Sequence, residues 1–205
     1  MRITPTPTGP QGERLPLGPG DALLLVDLQR DFMPGGALGV RHGDRVIGPA
    51  NACIALFLAR GLPVIASRDW HPADHVSFAQ RGGPWPVHCV AGSPGAGFDP
   101  RVALPAGIRV VSKATERDRE AYSAFDGTWL RQELVALGVR RLFIAGLATD
   151  YCVRATVHDA LRLGLAAVVL RDAVCAVDVQ PGDGDAALQE VADAGARLVA
   201  SSALA

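Results

Sequence analysis

Leu142-Phe143-Ile144-Ala145-Gly146-Leu147-Ala148-Thr149-Asp150-Tyr151-Cys152-Val153 decides how the rest of the chain is read. It opens on an apolar run of the kind that fills a buried parallel strand, and Gly146 then turns the chain. Thr149 and Asp150 are good N-cap residues for the helical spacing of Val153, Ala155, Val157, Ala160 and Leu161. Cys152 is therefore expected in the first turn of a helix that starts at the carboxyl end of a central strand. Unpaired backbone N–H groups and the positive end of the helix dipole meet there, and both favour a thiolate. That edge of an open α/β sheet is also where ligands bind. A cysteine taken at random is more often a small buried core residue. This position favours a nucleophile.

Upstream, Ala22 to Val26 reads as a first strand that delivers Asp27 to its carboxyl end, followed by an irregular, glycine-rich segment from Gln29 to Gly43. Ile47 to Ala59 has helical spacing and stops at Gly61. Pro63 to Ser67 reads as a second strand, with Arg68, Asp69, Trp70 and His71 at its outgoing end. Residues 72 to 107 are crowded with Pro, Gly and aromatics, and a loop that long in a compact domain is usually functional. Arg109 to Ser112 is a third strand presenting Lys113, and Thr128 to Leu137 a helix closed by Gly138. Beyond the Cys152 helix come a strand at Ala166 to Leu170, a helix at Gly184 to Ala194 and a last strand at Arg197 to Ala200. Strands alternating with helices imply right-handed βαβ units. The expected architecture is a three-layer α/β/α sandwich with a central, mainly parallel sheet of about six strands. Residues 1–20, rich in Pro, Thr and Gly, read as an extended arm, and 21–205 as one domain.

Composition narrows the setting. With 205 residues, 49% apolar, the chain has enough for one full-sized core. A formal charge of −1 gives no reason to expect nucleic acid or an anionic membrane surface as partner. Cys53, Cys89, Cys152 and Cys175 are scattered with no C-x-x-C pair, which fits reduced thiols in a cytoplasm. No run approaches the ~20 apolar residues that span a bilayer.

Asp27, Lys113 and Cys152 each follow an apolar strand directly. One such residue usually just solvates a strand tip, but three at one rim make a reaction centre. A thiol needs a base and a nearby cation; Asp27 can accept its proton, and Lys113 can hold the carboxylate and steady the thiolate. A second cluster, Asp69-Trp70-His71 with His75 and His88, places three of the five histidines within 18 residues of one another beside a carboxylate. Imidazole plus carboxylate suits zinc, iron or manganese, although aromatic-rich loops also use histidines for hydrogen bonding. His158 reads as a packing or surface residue. The run Glu116-Arg117-Asp118-Arg119-Glu120 reads as a solvated loop.

With these residues in hand, the chain resembles the nicotinamidase/pyrazinamidase branch of the isochorismatase-like cysteine hydrolases. Val26-Asp27-Leu28-Gln29-Arg30-Asp31-Phe32, then Pro34-Gly35-Gly36, is similar to that family's first motif. Ser67-Arg68-Asp69-Trp70-His71-Pro72 with His75 and Ser77-Phe78 resembles its metal loop, and Trp85-Pro86-Val87-His88-Cys89-Val90 the segment supplying the last histidine. Lys113, Tyr122-Ser123-Ala124-Phe125 and Gly146 to Cys152 match the lysine, the aromatic wall and the nucleophile motif. The likeness runs from about residue 21 to 202.

That resemblance implies a metal-containing hydrolase converting nicotinamide, and also pyrazinamide, to the acid and ammonia in NAD salvage. Asp27, Lys113 and Cys152 would be catalytic, and the N–H groups of Ala148 and Cys152 would form an oxyanion hole behind a cis Leu147–Ala148 peptide. One divalent ion (Zn, Fe or Mn) on Asp69, His71, His75 and His88 would hold the pyridine nitrogen. Phe32, Trp85 and Tyr122 would contact the substrate. A homo-oligomer is compatible with this reading. Two other readings stay open: a related hydrolase acting on a different small amide or vinyl ether, and a binding module that has lost its chemistry.

Overall fold

The computed structural model describes residues 14–205. Six parallel strands form one sheet in the order β3-β2-β1-β4-β5-β6. They are β1 Asp21–Val26, β2 Val64–Asp69, β3 Arg109–Lys113, β4 Arg141–Leu147, β5 Ala166–Cys175 and β6 Arg197–Val199. Four helices cover the sheet: α1 Ile47–Ala59, α2 Leu130–Ala136, α3 Arg154–Arg162 and α4 Asp183–Asp193. The expected three-layer sandwich is the one observed. Among the described residues, no helix is long and apolar enough to cross a membrane.

Alternation along β1 shows how the apolar runs make three layers. Leu23 and Leu25 pack with Ile54 and Phe57 of α1 on one face, while Ala22, Leu24 and Val26 join Leu130, Leu134, Val157 and Val191 on the other. A strand buried on both faces has no polar side, which is why its sequence is a continuous apolar run. The chain builds β1, β2 and β3 outward in one direction and then returns to lay β4 on the free side of β1. This reversal opens a crevice beyond the carboxyl ends of β1 and β4, the place where such sheets bind ligands.

Several boundaries differ from expectation. β2 runs on through Arg68 and Asp69, and β3 includes Lys113. β5 extends past Leu170 to Cys175, because its pairing with β4 breaks register between Ile144 and Gly146 and resumes at Val174. Exposed Arg171 and Asp172 at that break interrupt the apolar run that sequence alone could follow. Neither Thr149 nor Asp150 caps the Cys152 helix. Ala148 is its N-terminal boundary, residues Thr149–Val153 form a π-helical turn, and α3 continues from Arg154. The Asp150 carboxylate instead accepts hydrogen bonds from the backbone N–H groups of Val177 (3.0 Å) and Asp178 (2.9 Å). Of the expected N-terminal arm, residues 1–13 lie outside the described residues. Leu15 is buried and bridges to Leu204.

Gly146 is where β4 presses against β1. Its φ is +123°, and a Cβ there would lie 2.0 Å from the carbonyl oxygen of Val26. Gly138, at φ +66°, has open space instead. Gly146→Ala should therefore cost on the order of 2–5 kcal/mol through backbone strain plus a backbone clash, whereas Gly138→Ala should cost about 1 kcal/mol. Denaturant midpoints for the two variants, compared with the parent, check this ordering.

Candidate active site

Asp27, one residue past β1, is wholly buried with a left-handed φ of 49°. Its Oδ1 accepts a hydrogen bond from the Ser67 hydroxyl (2.7 Å). Its Oδ2 lies 2.9 Å from Lys113 Nζ in a fully buried ion pair. Lys113, at the end of β3, reaches back across the end of β2. There it donates to Asp69 Oδ1 and lies 3.3 Å from Cys152 Sγ. It is the only lysine in the chain. Cys152 comes in from the turn after β4, and one ligand atom each from Asp27, Asp69 and Cys152 fall within 4.8 Å of one another. The structure thus brings together the three strand-end residues that sequence singled out.

Burial dominates the electrostatics. It raises the Asp27 carboxyl above its usual range; Lys113 opposes this and the neighbouring Asp69 adds to it. At Asp69, burial works in the same direction, but Lys113 outweighs it and holds that carboxyl well below the ordinary range. Burial would lower Lys113, yet Asp27 and Asp69 keep it firmly protonated. Burial, with the carboxylates of Asp27 and Asp69, pushes the Cys152 thiol up, and Lys113 opposes that push.

The second cluster meets the first at Asp69, whose Oδ2 faces His71 Nε2 at 3.6 Å. His71 Nδ1 donates to the carbonyl of Ala114 (3.2 Å), and His88 Nδ1 to the carbonyl of Pro86 (2.8 Å). A carbonyl only accepts, so both rings carry their proton on Nδ1 and present the Nε2 lone pair. His71 Nε2 is buried with no partner. Ligand atoms of Asp69, His71 and His88 lie within 4.8 Å of one another. A carboxylate with two backbone-oriented imidazoles fits a divalent metal, and three protein ligands leave coordination positions open. His75 stacks on His71 but stands outside this set. Its Nε2 donates to the carbonyl of Arg119 (2.9 Å), and its Nδ1 accepts from Ser77. Both nitrogens are spent on protein.

Above these groups opens a cleft lined by Phe32, Trp85 and Tyr122, the three aromatics expected to contact substrate, and by Ala148 and Cys152. Leu38, Tyr151, Val177 and Glu120 complete much of the wall and were not anticipated. Trp85 Nε1 donates to the Tyr122 hydroxyl (3.0 Å), which sets the angle between the two rings. The Leu147–Ala148 peptide is cis. Residues 116–119 are exposed as expected, but Glu120 is half-buried at the cleft. The carbonyls of Arg117 and Arg119 tie the run to Val76 and His75. His158 pairs with Glu190 at the surface.

Gln29 carries out a task that the spacing gave no sign of. Its side-chain amide is fully buried, accepts from the Asp69 N–H (2.7 Å), and donates to the carbonyls of Asp69 (2.8 Å) and Ala96 (2.9 Å). β1 has already ended, so this amide extends the ladder beside β2 by one more residue. Asp31 acts similarly at the other loop, its Oδ2 accepting from the N–H of Cys89 (2.7 Å) beside His88. The available signals were their positions, two and four residues after Asp27, and their place in the stretch that resembles the family's first motif.

A parallel α/β sheet presenting a buried thiol, carboxylate and amine at its switch point defines a hydrolase of the cysteine type. The chain belongs to the isochorismatase family: the Isochorismatase domain model matches residues 21–203. The nicotinamidase of Escherichia coli is 42% identical over 201 residues, covering 88% of this chain and 94% of that one. The crystal structure of a pyrazinamidase from Pyrococcus horikoshii in complex with zinc is 50% identical, with a TM-score of 0.85 and coverage of 89% and 99%. An L. infantum protein in complex with nicotinate is 37% identical, with a TM-score of 0.84 and coverage of 91% and 96%.

If the metal set is Asp69, His71 and His88, then His71→Ala and His88→Ala should lose bound metal. His75→Ala should keep close to one ion per chain while loosening the 115–120 loop. Elemental analysis of the purified variants checks both. Gln29→Leu should destabilise by about 1–3 kcal/mol for each buried backbone group it leaves unpaired, read as a fall in Tm.

Proposed function

We propose that this protein is a metal-containing cysteine amidohydrolase that converts nicotinamide to nicotinate and ammonia in NAD salvage, and accepts pyrazinamide. Residues 21–205 would act as one domain in the cytoplasm. The observation that carries the reading is Asp27 Oδ2. It is a buried carboxylate oxygen, 2.9 Å from the one lysine and close to a buried thiol. Burial raises the basicity of this carboxyl toward that of the thiol, which suits it to exchange a proton.

Asp27 takes the proton of Cys152, and the sulfur attacks the carboxamide carbon. The charge that develops on the amide oxygen falls to the N–H groups of Ala148 and Cys152, each worth ~3–4 kcal/mol in such a hole. Asp27 returns its proton to the departing nitrogen, ammonia leaves, and a thioester remains. Water then attacks with Asp27 as base, the carbon–sulfur bond breaks, and the sulfur is reprotonated. Lys113 keeps both carboxylates ionisable at this burial and steadies the thiolate while it exists. Phe32, Trp85 and Tyr122 hold the ring. Asp69, His71 and His88 would hold a divalent ion, which would supply a Lewis-acid anchor for the pyridine nitrogen. That a pyrazinamidase relative is complexed with zinc and another relative with nicotinate supports a bound metal and a pyridine ligand.

Cys152→Ala should abolish ammonia release from nicotinamide, and Asp27→Asn should lower kcat by at least about 10³-fold. Activity within tenfold of the parent in either variant would overturn these assignments. Benzamide keeps the carboxamide but lacks the ring nitrogen. Removing the metal should therefore lower kcat/KM for nicotinamide far more than for benzamide; equal losses would show that the metal does not hold the ring.

A further inference from the structure

We infer that Glu120 sets the charge selectivity of the cleft, penalising carboxylate ligands and so favouring release of the acid that amide hydrolysis produces. The inference rests on the amidase reading above and concerns a residue to which that reaction gives no role. Glu120 lines the cleft together with His88, Tyr122 and Cys152. It also lines the open outer groove formed with Ser123, Asp126, His158 and Glu190. Glu120 lines both, as Tyr122 does, so its carboxylate stands where the cleft meets the outer groove.

Its position is held and not incidental. The Arg117 carbonyl accepts from the N–H of Val76 (2.8 Å), and the Arg119 carbonyl accepts from His75 Nε2 (2.9 Å). The Glu120 Oε1 then accepts from the N–H of Ala121 (2.9 Å). The neighbouring carboxylates each have a basic partner: Asp69 has Lys113, shared with Asp27; Asp126 has Arg119, shared with Glu116; Asp159 has Arg162 and Glu190 has Arg154. Among the described residues, no cation is paired with Glu120. Glu120 therefore stands at the cleft wall as a carboxylate without a basic partner of its own. A neutral carboxamide passes it at little cost. Hydrolysis turns that amide into an anion, and the same residue then repels what the site has made.

Glu120→Gln tests this with the fold intact, because the glutamine oxygen can still accept from Ala121. Nicotinate inhibition constants and the KM for nicotinamide are measured on the metal-loaded full chain, with calorimetric titration of both ligands alongside. The nicotinate constant should fall by about three- to fivefold in the variant, the range for one half-exposed charge, while the nicotinamide KM moves less than twofold. Salt at about 0.5 M should lower the nicotinate constant of the parent and leave the variant nearly unchanged. A nicotinate constant that stays put, or that shifts in step with the nicotinamide KM, overturns the role of Glu120. If the parent releases no ammonia but binds both ligands, the amidase reading fails, and the calorimetric preference still decides for or against Glu120. Absence of binding by either ligand overturns both.

Discussion

A single ammonium group, buried among three acids, is the constraint on which the rest depends. Lys113 Nζ faces Asp27, Asp69 and the Cys152 thiol with no solvent around it. Two carboxylates at such depth would each be strongly disfavoured, and removal of one partner from a buried pair typically costs ~3–5 kcal/mol. The lysine makes both tolerable, but unequally. It holds Asp69 well below its ordinary range and leaves Asp27 raised. One acid is thereby fixed as a permanent anion and the other kept ready to exchange a proton.

Sheet topology explains why these groups can meet. Asp27 and Cys152 flank the crevice between β1 and β4, where the strand order reverses, while Asp69 and Lys113 arrive from β2 and β3 on one side. Asp69 joins the two halves of the site: one oxygen belongs to the lysine, and the other looks toward the imidazoles. Any movement of β2's last residue would disturb thiol chemistry and metal donors together. The Gln29 amide, bonded to both backbone groups of Asp69, guards against that movement.

The layered α/β fold and the strand-end trio were legible because burial on both faces writes itself as apolar runs, and charges at their ends stand out against them. Asp69, His71 and His88 were legible as a cluster of donor types. What was not legible depended on partners far along the chain. His75 resembles its neighbours in sequence, but its nitrogens are claimed by Ser77 and by the carbonyl of Arg119, 44 positions away. The upward push on the Cys152 thiol was not legible either, because local reasoning counts a helix end, whereas the fold adds burial and two distant carboxylates. Asp150 has the right chemistry for a cap, yet two backbone N–H groups on the Val177 segment compete for it and win. Glu120 looked like one more member of a charged run. Only the folding back of residues 116–120 onto His75 and Val76 distinguishes it from the four before it.

The solitary lysine has a consequence outside catalysis. The other nineteen basic side chains are arginines, and Lys113 is 1% exposed. The folded surface of residues 14–205 thus offers no side-chain primary amine. Amine-directed acylating reagents, reducing sugars and lysine-directed transferases find no side-chain amine there unless the core opens. Guanidinium groups, charged at every ordinary pH, provide the positive surface charge without that reactivity. Amine labelling at a side chain would then report opening of the catalytic core itself, because the one reactive position lies at its centre.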